Sequence, residues 1–292
     1  MYSQIASNKR KTVFLITLFS VLVLVIGWVF GEANGNAGSG IILATMFATG
    51  MSLVGYFGGD KLALATSGAK QINKEQAPEL WRMVENLAIT NGSPMPKVYI
   101  VNDDAPNAFA TGRNPEHASI AVTTGLLRVM EKKELEGVLA HEMSHVKNYD
   151  ILVMTIVIVL VGVVTLLADW MLRSFVFGRD REHNQATIAL FAIGLVLSIL
   201  SPLFAELIKL AVSREREYLA DASGALLTRY PEGLASALEK IRAYGAPMKK
   251  ANHATAHLYI ANPFGPGNKL ASWFSTHPPV EERIKRLRTM GV

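Results

Sequence analysis

The chain of 292 residues contains no cysteine. That absence excludes disulfides, thiolate metal sites and cysteine nucleophiles, so any metal must be held by His, Asp or Glu. Charge is also scarce: 18% of the residues are Asp, Glu, Lys or Arg, where an ordinary soluble domain carries about 25%. A disordered chain is excluded, and a purely soluble one is disfavoured. The 29 basic residues against 24 acidic ones give a net charge of +5. There is no long Lys/Arg block, so no nucleic-acid partner is expected, and a membrane surface is the better match for the basic excess. Internal repeats and low-complexity segments are lacking too.

What is present in abundance is apolar surface, half of all residues, and it is concentrated in four stretches. Residues 12–31 carry no charge, and neither do 33–59, whose apolar part is 41–57; the other two are 151–168 and 184–205. A bilayer core of about 30 Å needs roughly 20 helical residues, so each is long enough to span, the third with help at its ends. The first is too long for the apolar part of a cleaved signal peptide, about 7–15 residues. Lys9, Arg10 and Lys11 precede it, and no positive charge lies in residues 31–40, which sets the N-terminus in the cytoplasm. The expected organisation is a membrane anchor of two helices (1–59), a first soluble part (60–150), a hydrophobic hairpin (151–205) and a second soluble part (206–292). Arg173, Arg179 and Arg181 in the hairpin loop count against its complete translocation.

In the first soluble part, residues 75–91 predict an amphipathic helix with Leu80, Met83, Val84, Leu87 and Ala88 on one face. Pro78 falls in its first turn and Gly92 stops it. Residues 97–101 and 119–123 read as strands, with 107–112 between them as a further strand. From Thr124 the spacing of Leu126, Leu127, Met130, Leu135, Val138 and Leu139 predicts one helix, capped by Thr123 or Thr124.

That helix leads into His141-Glu-Met-Ser-His145. Residues four apart share a helical face, so both imidazoles can reach one cation, with Glu142 beside it to accept a proton from water. Two imidazoles in a cysteine-free chain suit zinc, one ion per chain. A third ligand is needed. The later Gly and His of one zincin branch are absent, since Asn148 and Ile151 stand at those positions, and residues 151–168 are uncharged. The next acidic candidates are Glu182, Glu206, Glu215 and Glu217. Within 213–221, Glu217 and Asp221 are four apart; Glu217 could bind the metal while Asp221 holds a ligand histidine. A solvated charged face is the other reading of that segment. Ligands at 145 and 217 must meet on one side of the membrane, so the chain between them crosses an even number of times, and two apolar stretches satisfy this. With His145 six residues before Ile151, the site should lie within about 10 Å of the bilayer, at about 1.5 Å per helical residue. The rival from another class is a non-catalytic four-span transporter or scaffold, in which Asp169 and Glu206 mark a polar path.

Leu-Ala-His-Glu-Met-Ser-His-Val (139–146), Ser-Arg-x-x-Glu-Tyr-x-Ala-Asp (213–221) and Ser-Thr-His-Pro-Pro (275–279) together resemble the HtpX-type membrane zinc endopeptidases, which are related to the Ste24 peptidases. The resemblance implies an α+β, mostly helical fold: a gluzincin-like metallopeptidase domain with about four transmembrane helices. It implies zinc held by His141, His145 and Glu217, with Glu142 as general base and Asp221 in support. It also implies a bacterial inner-membrane enzyme that cleaves membrane or misfolded proteins at the cytoplasmic face, in quality control alongside other proteases. The Ste24 branch has seven spans, so prenylated substrates are not carried over. Asn107, Ala108, Phe109 and Ala110 resemble the family's substrate-binding edge strand. His277 could donate to the oxyanion, or could simply be the loop residue before a helix over 278–290. Tyr218 and Tyr149 are further candidate donors. His117, His183, His253 and His257 read as surface residues.

Overall fold

A computed structural model describes residues 2–177, 185–199, 213–251, 255–265 and 278–291. Two long helices, α1 (Tyr2–Ala33) and α2 (Ala37–Ser67), form an antiparallel hairpin turned at Asn34–Asn36. The Asn36 side chain caps α2 by accepting from the Ser39 amide at 3.0 Å. A Cβ at Gly40 would fall 2.1 Å from the Gly27 carbonyl oxygen, so the hairpin closes this tightly only because the position lacks a side chain. After α2 comes the short strand β1 (Ala69–Gln71), then α3 (Pro78–Asn91) with Pro78 in its first turn and Gly92 in the left-handed conformation at its end.

Strands β2 (Lys97–Val101), β3 (Ala108–Gly112) and β4 (Ala118–Thr123) complete a four-stranded sheet in the order β1-β2-β4-β3. β2 and β4 are parallel, Val98 opposite Ile120; β3 is antiparallel to β4, Ala110 opposite Ile120. β3 is therefore at one edge of this sheet, where the resemblance implied a strand. Thr123 caps the following helix, accepting from Leu126 N at 3.1 Å.

The single helix predicted from Thr124 onward is in fact two, α4 (Thr124–Val129) and α5 (Lys132–Lys147). Met130 and Glu131 are extended (ψ 137° and 161°), and Glu131 opens a new capping box in which the Glu134 carboxylate accepts from the Glu131 amide at 2.7 Å. Periodicity ran through the break because Met130 stays buried on both counts. α5 ends at Asn148, and Tyr149 adopts φ 61°, a left-handed turn that sets α6 (Asp150–Phe177) off in a new direction. α6 is largely buried, packed against α1, α2 and β3 and against α7 (Gln185–Ile199).

Among the described residues, three helices are long and apolar enough to cross a membrane: Gln4–Ala33, Ala37–Ser67 and Asp150–Arg173. The fourth apolar stretch is seen as α7, and its remainder, residues 184 and 200–205, lies outside the described residues, as do Arg179 and Arg181 of the hairpin loop. Asp169, proposed above as a mark of a polar path, is exposed and paired with Arg173 at 2.7 Å one turn on; Glu206 lies outside the described residues.

The second soluble part supplies α8 (Arg214–Thr228), α9 (Pro231–Tyr244) and α10 (Val280–Arg288). α8 and α9 both pack on α5, and a core of Leu87, Ile120, Val138, Leu139, Met143, Leu234 and Leu238 joins the two halves of the sequence. His257 departs from its expected surface position. It is buried, its Nε2 3.2 Å from the Met154 carbonyl oxygen, because the segment carrying it tucks between β3 and the start of α6. His117 is exposed as expected, while His183 and His253 lie outside the described residues.

Candidate metal centre

α5 presents His141 and His145 on one face, and α8 brings Glu217 up to them. The two Nε2 atoms are 3.1 Å apart. Glu217 Oε1 lies 3.5 Å from His145 Nε2, and Oε2 lies 3.8 Å from His141 Nε2. All three ligand atoms fall within 4.8 Å of one another, and all three residues are buried. Donors each about 2.0–2.1 Å from a common tetrahedral zinc lie about 3.3 Å apart, so the cluster has the dimensions of a zinc site. The approach of α8 depends on Gly224: a Cβ there would meet the His141 amide nitrogen at 2.9 Å.

Each imidazole is held from behind. His141 Nδ1 is 2.9 Å from Asp221 Oδ1, and His145 Nδ1 is 3.0 Å from Asp150 Oδ2. Each carboxylate faces the Nδ1 of its imidazole, which favours a proton on Nδ1 and leaves Nε2, on the Glu217 side, as the atom to meet a cation. Asp221 is itself clasped by Arg283 of α10, Nε to Oδ2 at 2.8 Å and Nη2 to Oδ1 at 2.7 Å, while Arg283 Nη1 reaches the Ile260 carbonyl at 3.1 Å.

Electrostatics follow from this geometry. Burial holds His141 down at about 4, against the pull of Asp221, so it is neutral at pH 7. Burial also disfavours a charge on His145, but Asp150 and Glu217 outweigh it and raise His145 to about 9. Burial raises Glu142 to about 7, a value suited to moving a proton in both directions near neutrality. For Asp221, burial is overcome by Arg283, which holds it at about 2, a permanent anion behind His141.

Glu142 projects into the same buried space, with the Ala110 amide of β3 against its carboxylate. Of the four residues expected to bind substrate, Ala110 is the one placed against the site; Asn107, Ala108 and Phe109 run on from it along the same sheet edge. Part of that edge is already paired within the chain. Phe109 bridges Tyr259, the Ile260 amide donates to Ala108 O at 3.0 Å, and Asn107 Nδ2 donates to Ala261 O at 3.0 Å. His277 lies outside the described residues. Tyr218 is turned away beneath the Arg286 guanidinium, 3.6 Å from its ring centre, and Tyr149 stacks with Lys9 at 5.0 Å. Sequence reasoning missed Asp150 and Arg283. Asp150 is one of two acidic residues that flank the third apolar run, with Asp169 at the other end, and nothing local marks it as the partner of His145; Arg283 gave no local signal either.

A membrane-inserted domain with two histidines from an HExxH helix and a glutamate from a second helix defines a membrane metallopeptidase. The chain belongs to peptidase family M48, whose sequence profile matches residues 74–291. It is 50% identical to a protease HtpX homologue of Tropheryma whipplei (strain TW08/27), covering 100% of this chain and 99% of that one. It is 49% identical to a protease HtpX homologue of Thermoanaerobacter pseudethanolicus, covering 99% and 98%. The crystal structure of S. mikatae Ste24p superposes with a TM-score of 0.54 at 18% identity, over 98% of this chain and 67% of that one; at that identity the likeness is one of fold.

Proposed function

We propose that this chain is a zinc-dependent endopeptidase of the bacterial inner membrane, active at the cytoplasmic face on membrane or misfolded proteins. The observation that carries the reading is the convergence of His141, His145 and Glu217 within 4.8 Å, with Glu142 buried beside them. When bound, zinc supplies a Lewis acid for the scissile carbonyl and lowers the pKa of water to about 7. Glu142 accepts the proton of the attacking water and returns it to the leaving amine, which its pKa of about 7 suits. Asp221 and Asp150 keep the two imidazoles in the ligating tautomer. The edge of β3, Asn107 to Ala110, takes the substrate backbone as an added strand, in place of the bridge that Tyr259 now makes. His277 serves as a further donor to the oxyanion.

Asp150 both contacts His145 and opens an apolar helix of spanning length, which supports a site at the membrane surface and substrates presented close to it. The three basic residues in the first turns of α1, before its uncharged run 12–31, support a cytoplasmic N-terminus, and relatives that are proteases over their full length support a role in proteolytic quality control, with other such proteases as partners. In the test, Glu142→Gln loses cleavage of a membrane protein substrate by about 10²–10⁴-fold while keeping one zinc per chain. Cleavage at the wild-type rate would refute the assignment.

A further inference from the structure

The carboxylate behind His145 is not held by the catalytic domain alone. Asp150 Oδ2 faces the imidazole, and its other oxygen, Oδ1, accepts from two groups: Arg216, the residue before the proposed ligand Glu217, and Asn8 of α1, whose Nδ2 lies at 2.7 Å. The same Asn8 amide donates to the Asn148 carbonyl at the end of the metal helix, at 2.8 Å. Arg216 also donates to Gln4, one turn earlier in α1. Asn8 is 1% exposed. A buried amide costs free energy unless its hydrogen bonds are made, and here both donors of the amide are used at the junction of α5 and α6.

The geometry points to Asn8 as a positioning residue of the metal centre: the first membrane helix fixes the Asp150 carboxylate, and Asp150 in turn fixes the His145 ring. A carboxylate with one oxygen bound by Asn8 and Arg216 cannot rotate away from His145 without breaking those bonds in a buried place, where a lost partner costs most. Without Asn8, Asp150 keeps Arg216 alone, and the end of α5 loses its tie to α1. Tyr149, at φ 61° with Lys9 of α1 stacked on its ring, lies between the two contacts, so the left-handed turn that presents Asp150 to His145 is buttressed by the same helix. The membrane anchor is then part of the site's scaffold as well as its tether.

This inference rests on the zinc reading above, and the experiment separates the two. Full-length chain is purified with zinc, and the rate of zinc loss to a chelator is measured for wild type, Asn8→Ala, Asp150→Asn and the double variant. The visible spectrum of the cobalt-substituted proteins is recorded alongside. Loss of an orienting partner typically costs about 10–100-fold in metal affinity. Asn8→Ala should release zinc about 10-fold faster and alter the cobalt spectrum, and in the Asp150→Asn background its effect should shrink, as expected if it acts mainly through that carboxylate. Thr12→Ala removes another buried polar group of α1, one turn on and bonded, among the described residues, to the Asn8 backbone, and should leave the rate unchanged. Asn8→Gln, with the same donors displaced by a methylene, should release zinc faster in the same manner, and it keeps the comparison available if Asn8→Ala does not fold. A wild-type rate in both Asn8 variants, an undiminished effect in the Asp150→Asn background, or an equal effect from Thr12→Ala would overturn the assignment. A wild-type chain that binds no zinc would instead contradict the proposed function.

Discussion

Two carboxylates of unlike surroundings hold the two histidines. Asp221 is paired with a fully buried arginine and stays ionised to about pH 2, so Arg283 should be among the least replaceable residues outside the cluster. Arg283→Met leaves the Asp221 anion buried without its counter-charge, and breaking such a pair costs about 3–5 kcal/mol; chemical denaturation should show a loss of that size, and a loss below about 1 kcal/mol would contradict the pairing. Glu134 gives a pH-dependent test. Burial pushes its carboxyl up, but Lys240 at 2.7 Å, the Ser236 hydroxyl at 2.6 Å and the Glu131 amide pull it below the usual range. A carboxyl whose folded pKa is lowered contributes stability above its unfolded pKa, about 4.3, and loses it as the pH falls through the folded value. Melting curves of Glu134→Gln should therefore lie below wild type at pH 7 and converge with it in acid; a gap that persists unchanged at pH 3 would contradict this. At this scale the sequence was most informative where spacing carries geometry: His141 and His145 are a helical turn apart, and so are Glu217 and Asp221. Asp150 and Arg283 were not legible, because their roles depend on a left-handed turn at Tyr149 and on how a terminal helix docks.

Among elements, the closest approach is that of α8 to α5. Gly224→Ala places a methyl 2.9 Å from the His141 amide, so the helices must part and Glu217 must withdraw from the imidazoles. Overpacking of this kind costs about 1–3 kcal/mol; the variant should also retain less zinc, and full zinc retention would count against the close packing. The edge strand allows a reversible test in a chain with no cysteine of its own. Phe109 and Tyr259 face each other across an antiparallel bridge of the type in which Cα atoms are close, about 4.5 Å. A disulfide in Phe109→Cys/Tyr259→Cys should lock the Tyr259 segment on β3 and block substrate, with cleavage returning on reduction. Equal activity in oxidised and reduced protein would show that substrate does not displace the bridge. The strand itself was legible from its turn residues and from alternation in its neighbours. Its partner was not, since Tyr259 lies about 150 residues away. The break between α4 and α5 escaped notice because hydrophobic spacing does not register two extended residues when one of them remains in the core.

Across the whole molecule, the shortage of charge in the composition resolves into helices of spanning length, and the cysteine-free donor set into two imidazoles and a carboxylate. The insertion of apolar helices between the ligands was visible in the sequence. What it could not convey is how closely the parts are joined. α6 starts at the residue that holds His145, and α1 contributes Asn8 and Gln4 to the same junction. Membrane and catalytic elements thus share one polar network. The central claim is that residues from α5 and α8, separated in sequence by the hairpin, hold a single metal ion. Metal analysis of purified full-length wild type and Glu217→Ala tests it most directly. The account predicts one zinc per wild-type chain and little or none in the variant; undiminished zinc in Glu217→Ala would contradict it.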